Sequence, residues 1–392
     1  MKIAILSVSK KGKKLSSKLK SLLDEDPTVI KVSCFHKNVK DNIDFIFNEN
    51  IQRSEYNSYN GIESDKYDAI IGIMATGILI RNIADKLKDK TIDPAILSLD
   101  DNGKYVISLV SGHLGGANGL TKKIANLLNS EPVITTATDT NDKIGIDTLA
   151  MKLHWKILNK KEILAFNKAI LEGKVIKIFI NLFNKDNIEY KHYIDNYLKI
   201  KEKNTLEITD LKESNLSIED IKSKIFYLDS DKDNKYPNQD IYNKYKNCNI
   251  VASFDNHRMF FKPKMVVVGI GARANISKEK VMNAINIAMK NLDLPLDRID
   301  FIATVEIKKD EKGILESVKD IGKDLKIVTI DEIKKFKDSN ISKSEFVQEK
   351  FDIPGVAEPT ALIVAKNGTA DSKLIHKKIA IDGVTVAIAI SD

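Results

Sequence analysis

The stretch ISLVSGHLGGANGLTKKIANLL, Ile107 to Leu128, passes from an apolar, β-branched run through a turn containing Gly112, Gly115 and Gly116 into apolar residues spaced three and four apart. That order predicts a strand, a tight turn and an amphipathic helix, the unit from which α/β layers are assembled. The same unit recurs on either side. Up to about residue 150 the runs KIAIL, VIKVSCF, DAIIGIM, PAILSLD, YVISLV and PVITTAT alternate with helical patterns such as GILIRNIADKL and GLTKKIANLL. Strands alternating with helices predict a mostly parallel sheet. The DNGK turn, Asp101 to Lys104, joins two of the runs closely enough for a hairpin, so one antiparallel pair is expected within it.

Toward the C terminus the composition changes and then changes back. From about residue 151 to 262 Lys, Asn, Asp and Tyr dominate, and DSDKDNKYPNQDIYNKYKNCN is the most polar part, which predicts a less regular module with a long surface loop. Residues 264–392 return to α/β order: strand KMVVVGIG, helix SKEKVMNAINIAMKNL, strand DFIATVEI, helix GILESVKDI, strand KIVTI, two further helical segments and then LIHKKIAIDGVTVAIAI. In that last run Asp382-Gly383 is a strong type I′ hairpin signal. The chain is thus expected to be a multi-domain α/β protein: an N-terminal α/β module over 1–145 with glycine-rich strand-end loops, a polar, less regular middle module over 146–262, and a C-terminal α/β module over 263–392, both α/β modules having mostly parallel sheets.

Composition narrows the function. At 392 residues the chain exceeds one ordinary core; 43% hydrophobic content is normal for a globular protein, and no run approaches the ~20 apolar residues of a membrane helix. The opening MKIAILSVSKKGKKL puts its lysines after the apolar run, the reverse of a secretory signal, so a cytoplasmic protein is expected. Cys34 and Cys248 lie far apart without CxxC spacing, which gives neither a disulfide framework nor a thiolate metal site, and both read as packing residues. The net charge of +7 is dispersed and not interleaved with aromatics, so nucleic acid is unsupported, whereas a small ligand with several carboxylates fits such a field.

In an open parallel sheet ligands bind beyond the carboxyl ends of strands, where helix N-termini and free N–H groups converge. Three loops of the N-terminal module are placed there: MATG, with Thr76 and Gly77, leading into a helix that bears Arg81; SGHLGGAN, with Ser111, Gly112, Gly115, Gly116 and Asn118; and TTATDTND, with Thr135, Thr136, Thr138 and Asp139. Small residues let backbone N–H groups approach a ligand oxygen, which suits carboxylate binding or an oxyanion hole. Taken singly, each loop reads better as a glycine turn with a helix cap; three at neighbouring strand ends reverse that preference and favour a site. His113 either fixes the turn or acts as the titrating group, since imidazole changes charge near neutrality. The other histidines, His36, His154, His192, His257 and His376, stand in polar or irregular surroundings without ligand spacing, so no metal site is expected.

In the C-terminal module VVVGIGARANIS satisfies G-x-G-x-x-A through Gly269, Gly271 and Ala274, a weak match, because the expected acidic partner is poorly spaced: Glu306 lies inside the next strand and Asp310 after it. Arg273 suits a carboxylate or phosphate through bidentate pairing, or is a solvent-facing loop residue. In GVAEPTALIVA, Glu358 precedes Pro359 at a helix start, where a carboxylate either complements the dipole or serves as acid or base.

Taken together, YDAIIGIMATGILIRNIAD, YVISLVSGHLGGANGLTKKIA, PVITTATDTND, VVGIGARANIS, ATVEIKKDEKGI and GVAEPTALIVA closely resemble the cobalt-precorrin-5A hydrolase family of anaerobic cobalamin biosynthesis. The match runs in order along nearly the whole chain; SGHLGGAN with PVITTATD is its most specific part, and residues 145–262 match in position and length only. The resemblance implies a hydrolase of porphyrin and corrin metabolism that opens a δ-lactone on a cobalt corrinoid and releases acetaldehyde. Cobalt would arrive in the substrate, so no cofactor of the protein's own is implied, and hand-off from other enzymes of the pathway is a further expectation. His113 would be the base, the N–H groups of the Ser111 to Gly116 turn would hold the oxyanion, Asp139 would orient imidazole or water, Glu358 would assist, and Arg81, Arg273, Glu306 and the small-residue loops would contact the substrate. Many family members carry cysteine where this chain has Ala272 and Ala357, which argues against a cysteine nucleophile. The rivals are a non-catalytic corrinoid carrier and, resting on Gly269 to Ala274, a nicotinamide enzyme.

Overall fold

A computed structural model of the chain describes residues 1–55, 67–89, 92–180, 206–209, 250–366 and 371–391. The chain divides into two compact units, residues 1–133 with 265–392, and residues 134–264.

The first unit holds two sheets. The N-terminal one contains β1 (Lys2–Ser7), β2 (Lys31–His36), β3 (Ala69–Ile73), β4 (Ala95–Leu99), β5 (Tyr105–Val110) and β6 (Glu131–Val133) in the order β2-β1-β3-β4-β5-β6. Its helices are α1 (Lys10–Asp24), α2 (Val39–Glu55), α3 (Thr76–Ile83) and α4 (Ala117–Leu128). β3 and β4 are buried at every position, as strands covered on both faces must be. Ile3, Ile5 and Leu97 pack with Leu19 of α1 and with Leu120 and Ile124 of α4, while Ala4, Leu6 and Ile96 pack with Ile43 of α2 and Leu79 of α3. Alternate residues of one strand thus face opposite helical layers.

β1 to β4 run parallel, but β5 is antiparallel to β4 and β6 is parallel to β5. The DNGK turn makes the reversal, as the sequence predicts. The Asp100 carboxylate accepts from the Tyr105 and Asn102 amides at 2.8 and 3.0 Å, and Gly103 takes φ 66°.

The second unit contains α5 (Ala137–Thr140), α6 (Ile146–Lys152), β7 (Trp155–Ile157), α7 (Ile163–Leu171), β8 (Ile176–Ile180), β9 (Leu206–Thr209), β10 (Ile250–Phe254) and β11 (His257–Pro263). Its sheet, ordered β7-β11-β10-β8-β9, is antiparallel except for the β8–β9 pair. The described part is therefore more regular than its polar composition suggested, because Phe166 and Phe261 give it a buried aromatic interior. The most polar stretch, 229–249, lies outside the described residues, as do Cys248 and His192.

The C-terminal sheet of the first unit has β12 (Val266–Ala272), β13 (Phe301–Val305), β14 (Asp324–Val328), β15 (Ser372–Ile381) and β16 (Val384–Ser391) in the order β14-β13-β12-β16-β15. Around it lie α8 (Lys278–Asn291), α9 (Lys312–Ile321), α10 (Ile330–Lys335), α11 (Glu345–Phe351) and α12 (Ala357–Lys366). β12 to β14 are parallel and β15–β16 is the hairpin that Asp382-Gly383 signals, with both residues at positive φ, 49° and 88°.

The two sheets of the first unit meet along β15. The Lys377 amide donates to the Pro27 carbonyl at 2.7 Å, Lys373 Nζ lies 3.6 Å from the Asp68 carboxylate, and Ile30 packs against the C-terminal core of Ala361, Leu374 and Ala389. Burial raises the Asp68 carboxyl pKa, but the neighbouring Lys373 and N-terminal ammonium more than offset this and hold it below the usual range.

Two residues depart from expectation. Cys34, read as a packing residue, is exposed on the edge strand β2. His376, read as lying in polar surroundings, is fully buried in β15, where a register shift after Leu374 pairs it with Ile388 and turns it toward Asn291 of α8, away from the α12 face on which Leu374 packs.

Candidate active site

The turn carrying His113 is built by β5 and α4. Ser111, the residue after the strand, takes a left-handed φ of 58°, uncommon without glycine. Its surroundings hold it there: its Oγ donates to the Asp93 carbonyl at 3.0 Å and its carbonyl accepts from the Ala117 amide at 3.1 Å. A Cβ on Gly115 would lie 2.4 Å from Ser111 Cβ, so only glycine allows the chain to fold back this tightly. Gly116, at φ 83°, then starts α4 without a side-chain cap.

Within this turn the Gly116 amide donates to His113 O and the Asn118 amide to Gly112 O. The amides of Gly112, Leu114 and Gly115 have no acceptor among the described residues. Backbone donors left without a protein acceptor in a tight turn beside a histidine are a candidate anion or oxyanion cradle. His113, Gly112, Leu114 and Gly115 are half-buried, so the cradle is reachable from solvent.

The MATG loop is not part of it. Val110, at the end of β5, pairs with Ile96 near the start of β4, whereas Ile73, at the end of β3, pairs with Leu99 at the end of β4. The two loops therefore occupy opposite edges of the sheet, separated by the length of β4, about 13 Å at ~3.3 Å per residue. The expectation that all three loops lie at neighbouring strand ends is corrected for MATG: the hairpin that reverses β5 carries SGHLGGAN to the other edge, where β6, parallel to β5, also ends. On the MATG edge Thr76 Oγ1 lies 3.1 Å from Ser98 Oγ, Gly77 is exposed, and the exposed Arg81 reaches back to the Gly77 carbonyl at 3.4 Å.

Thr135, Thr136, Thr138 and Asp139 belong to the second unit. Thr135 is exposed, Thr136 stands at the start of α5, Thr138 is buried, and Asp139 is half-buried on that one-turn helix.

In the C-terminal sheet Gly269 and Gly271 are packing glycines. A Cβ on Gly269 would fall 1.9 Å from the Ala357 carbonyl oxygen of α12, and one on Gly271 2.6 Å from Thr385 Oγ1. The fingerprint reading is corrected accordingly: the helix pressing on Gly269 is α12 and not α8, which follows the strand, so these glycines admit protein instead of pyrophosphate. Arg273 is exposed and lies across the Gly383 turn, with Cδ 3.1 Å from the position of a Cβ there. It sits seven residues beyond Val266, the level at which Lys373 meets Asp68, so about 23 Å of strand separates it from that junction. Glu306 Oε1 accepts from the Ile330 amide at 3.0 Å, which ties the end of β13 to the start of α10. Glu358 is 2% exposed, and both its oxygens are engaged: one by the Ser342 amide and hydroxyl, each at 2.7 Å, the other by the Lys378 amide at 3.0 Å. That arrangement makes it a strut between α12, the 338–342 loop and β15, and leaves it no face toward a substrate.

Sequence reasoning missed Ser108, whose hydroxyl donates to Asn118 Oδ1 at 2.7 Å. The signal was present, since a serine interrupts the apolar run of β5 on the face that packs under α4. Among the described residues no group of three or more His, Cys, Asp or Glu side chains is placed to hold a metal ion, and no helix is long and apolar enough to cross a membrane.

Residues 63–139 match the family model Cobalamin synthesis G N-terminal, and 266–389 match Cobalamin synthesis G C-terminus. The protein named as a probable cobalt-precorrin-5A hydrolase in Methanocaldococcus jannaschii is 33% identical over 395 residues, covering 99% of each chain. The chain belongs to the cobalt-precorrin-5A hydrolase family. Another member, the cobalt-precorrin-5A hydrolase of Priestia megaterium, is 25% identical over 83% of this chain and 79% of its own. The crystal structure of a cobalamin biosynthesis protein G homologue from Sulfolobus solfataricus shares the fold, with a TM-score of 0.51 at 22% identity, covering 100% of this chain and 97% of that one. The first family model spans both MATG and SGHLGGAN, so membership alone does not choose between the two edges.

Proposed function

We propose that the chain hydrolyses cobalt-precorrin-5A, opening its δ-lactone and releasing acetaldehyde to give cobalt-precorrin-5B, and that the Ser111–Asn118 turn is where the lactone is attacked. The observation that carries the placement is the cluster of Gly112, Leu114 and Gly115 N–H groups with no acceptor among the described residues, in the same turn as His113.

The chemistry divides into two steps. In the first, His113 takes a proton from water as its oxygen bonds to the lactone carbonyl carbon. Negative charge collects on the former carbonyl oxygen, where the turn's N–H groups are preset to receive it. Collapse breaks the ring C–O bond and leaves a carboxylate and a carbinol. In the second step the carbinol loses its hydroxyl proton, its carbon–oxygen bond becomes the carbonyl of acetaldehyde, and the electron pair of the broken carbon–carbon bond passes to the corrinoid ring. Cobalt enters with the substrate.

The test is anaerobic incubation of the purified protein with cobalt-precorrin-5A, trapping acetaldehyde, beside His113→Ala. Wild type should release acetaldehyde and the variant should lose about 100-fold or more in turnover, the scale of a general base. Full turnover by a folded variant would remove His113 from the mechanism. Tight corrinoid binding without release by wild type would make the protein a carrier.

A further inference from the structure

We infer that Ser108 is a positioning residue for the hydrolysis, acting through Asn118 on the Gly112–Gly115 turn; the inference rests on reading that turn as the oxyanion cradle. Ser108 lies inside β5 on the same face as Val106, which belongs to the core beneath α4. A hydroxyl on that face needs a partner, and it has Asn118 Oδ1 at 2.7 Å.

Asn118 is 5% exposed, so its carboxamide faces the protein and not a substrate. Its backbone amide donates to Gly112 O at 3.0 Å. Its side chain forms the floor under Gly112: a Cβ there would meet Asn118 Oδ1, Nδ2 and Cγ at 2.8, 3.0 and 3.1 Å. The plane of the carboxamide therefore sets the height and tilt of the peptide at Gly112, where the unpaired donors begin. A carboxamide can rotate by half a turn at little steric cost, exchanging its acceptor for a donor. By donating to the oxygen, the Ser108 hydroxyl favours one of the two orientations.

The rest of the turn has no slack to absorb a change. Ser111 is held in the left-handed region by Asp93 and Ala117, and Gly115 touches Ser111. Such a backbone persists only when its surroundings over-determine it, and Asn118 supplies the remaining constraint at Gly112. Neither Ser108 nor Asn118 is required to touch the reacting atoms; their effect is on where the N–H vectors point.

The measurement uses Ser108→Thr and Ser108→Val, which share shape and strand preference and differ in the hydroxyl, each also combined with His113→Ala. S108T is expected to keep most of the wild-type kcat, and S108V to lose about tenfold, with KM changed less than about twofold, as for misplaced transition-state donors. Because both act in one turn, S108V should cost much less in the H113A background than alone. Equal kcat for S108T and S108V, or a loss confined to KM, would overturn the inference. Full multiplicativity of the two losses would do the same. If H113A retains full turnover while S108V still lowers kcat, the base assignment fails and the positioning role stands, so the two readings fail separately.

Discussion

Gly269→Ala tests whether the glycine-rich strand of the C-terminal sheet exists to bind a nucleotide or to admit a helix. The added Cβ would start 1.9 Å from the Ala357 carbonyl oxygen, and atoms of this kind do not approach within 3.0 Å, so the start of α12 must withdraw by about 1.1 Å. That helix carries Glu358, whose bonds to Ser342 and Lys378 are 2.7, 2.7 and 3.0 Å long. A withdrawal of that size stretches at least one of them beyond bonding length and leaves a buried carboxylate partly unsatisfied. Overpacking costs about 1–3 kcal/mol. Losing a hydrogen bond to a charged group adds roughly 1.5–3 kcal/mol. The variant should therefore be destabilised by about 3–5 kcal/mol, which in a unit of this size lowers Tm by roughly 10 °C or more. Urea unfolding followed by far-UV circular dichroism gives the free energy and differential scanning calorimetry gives Tm. A Tm within about 2 °C of wild type would refute the packing argument and reopen the nicotinamide reading.

Two further outcomes follow from the same geometry. Gly115→Ala places a Cβ 2.4 Å from Ser111 Cβ and should lower turnover about 100-fold through displaced donors, checked by acetaldehyde release from protein that melts cooperatively; unchanged turnover would dissociate the turn from the chemistry. His376 is buried with Nδ1 2.6 Å from the Lys377 carbonyl and Nε2 3.1 Å from Asn291 Nδ2, an arrangement that suits the neutral ring. Burial lowers its pKa below the usual 6.5, against the Lys377 carbonyl and Asp26, which favour the charged form. The folded state thus binds its proton later than the unfolded chain, so the contribution is complete above about pH 6.5 and declines as pH falls from there through the folded pKa. Wild type should lose stability between pH 7 and 5 at up to about 1.4 kcal/mol per pH unit, and His376→Gln should show a shallower slope; parallel slopes would count against it.

Local patterns in the sequence carried most of the elements. The alternation of apolar runs and helical spacing marks the strands of both α/β sheets, and Asp382-Gly383 marks the last hairpin to the residue. What was not legible depends on contacts between distant residues. Gly269 reads as a nucleotide glycine until α12 is seen lying on it, and Glu358 reads as a candidate acid until Ser342 and Lys378 are seen to occupy its oxygens. His376 was misjudged because lysines follow it in LIHKKIAI, and because the register shifts on either side of it, which turn it toward Ile388 and Asn291, leave no mark in the sequence spacing. The DNGK hairpin was read correctly, but its consequence was not followed: a reversed strand delivers its carboxyl end to the opposite edge.

That reversal decides which parts of the chain surround the turn. Beside it lie the starting ends of β1, β3 and β4, with Met1 Cε 3.9 Å from where a Cβ on Gly116 would stand. α4, which leaves the turn, is anchored from Lys123 to the Asp26 carboxylate and to Thr28 Oγ1, the latter at 2.9 Å. The intervening residue, Pro27, accepts the Lys377 amide of β15. Burial raises the Asp26 pKa, but Lys123 and Thr28 outweigh it and keep the carboxyl below its ordinary value, so this anchor is charged at neutral pH. The C-terminal sheet therefore reaches the cradle indirectly, through residues 26–28 and α4. It steadies the helix on which Asn118 stands, while its own glycine loop and Arg273 lie at the far end of its strands. A parallel β5 would have put the same histidine on the MATG edge, away from residues 26–28, Asp68 and the strand that joins the two sheets.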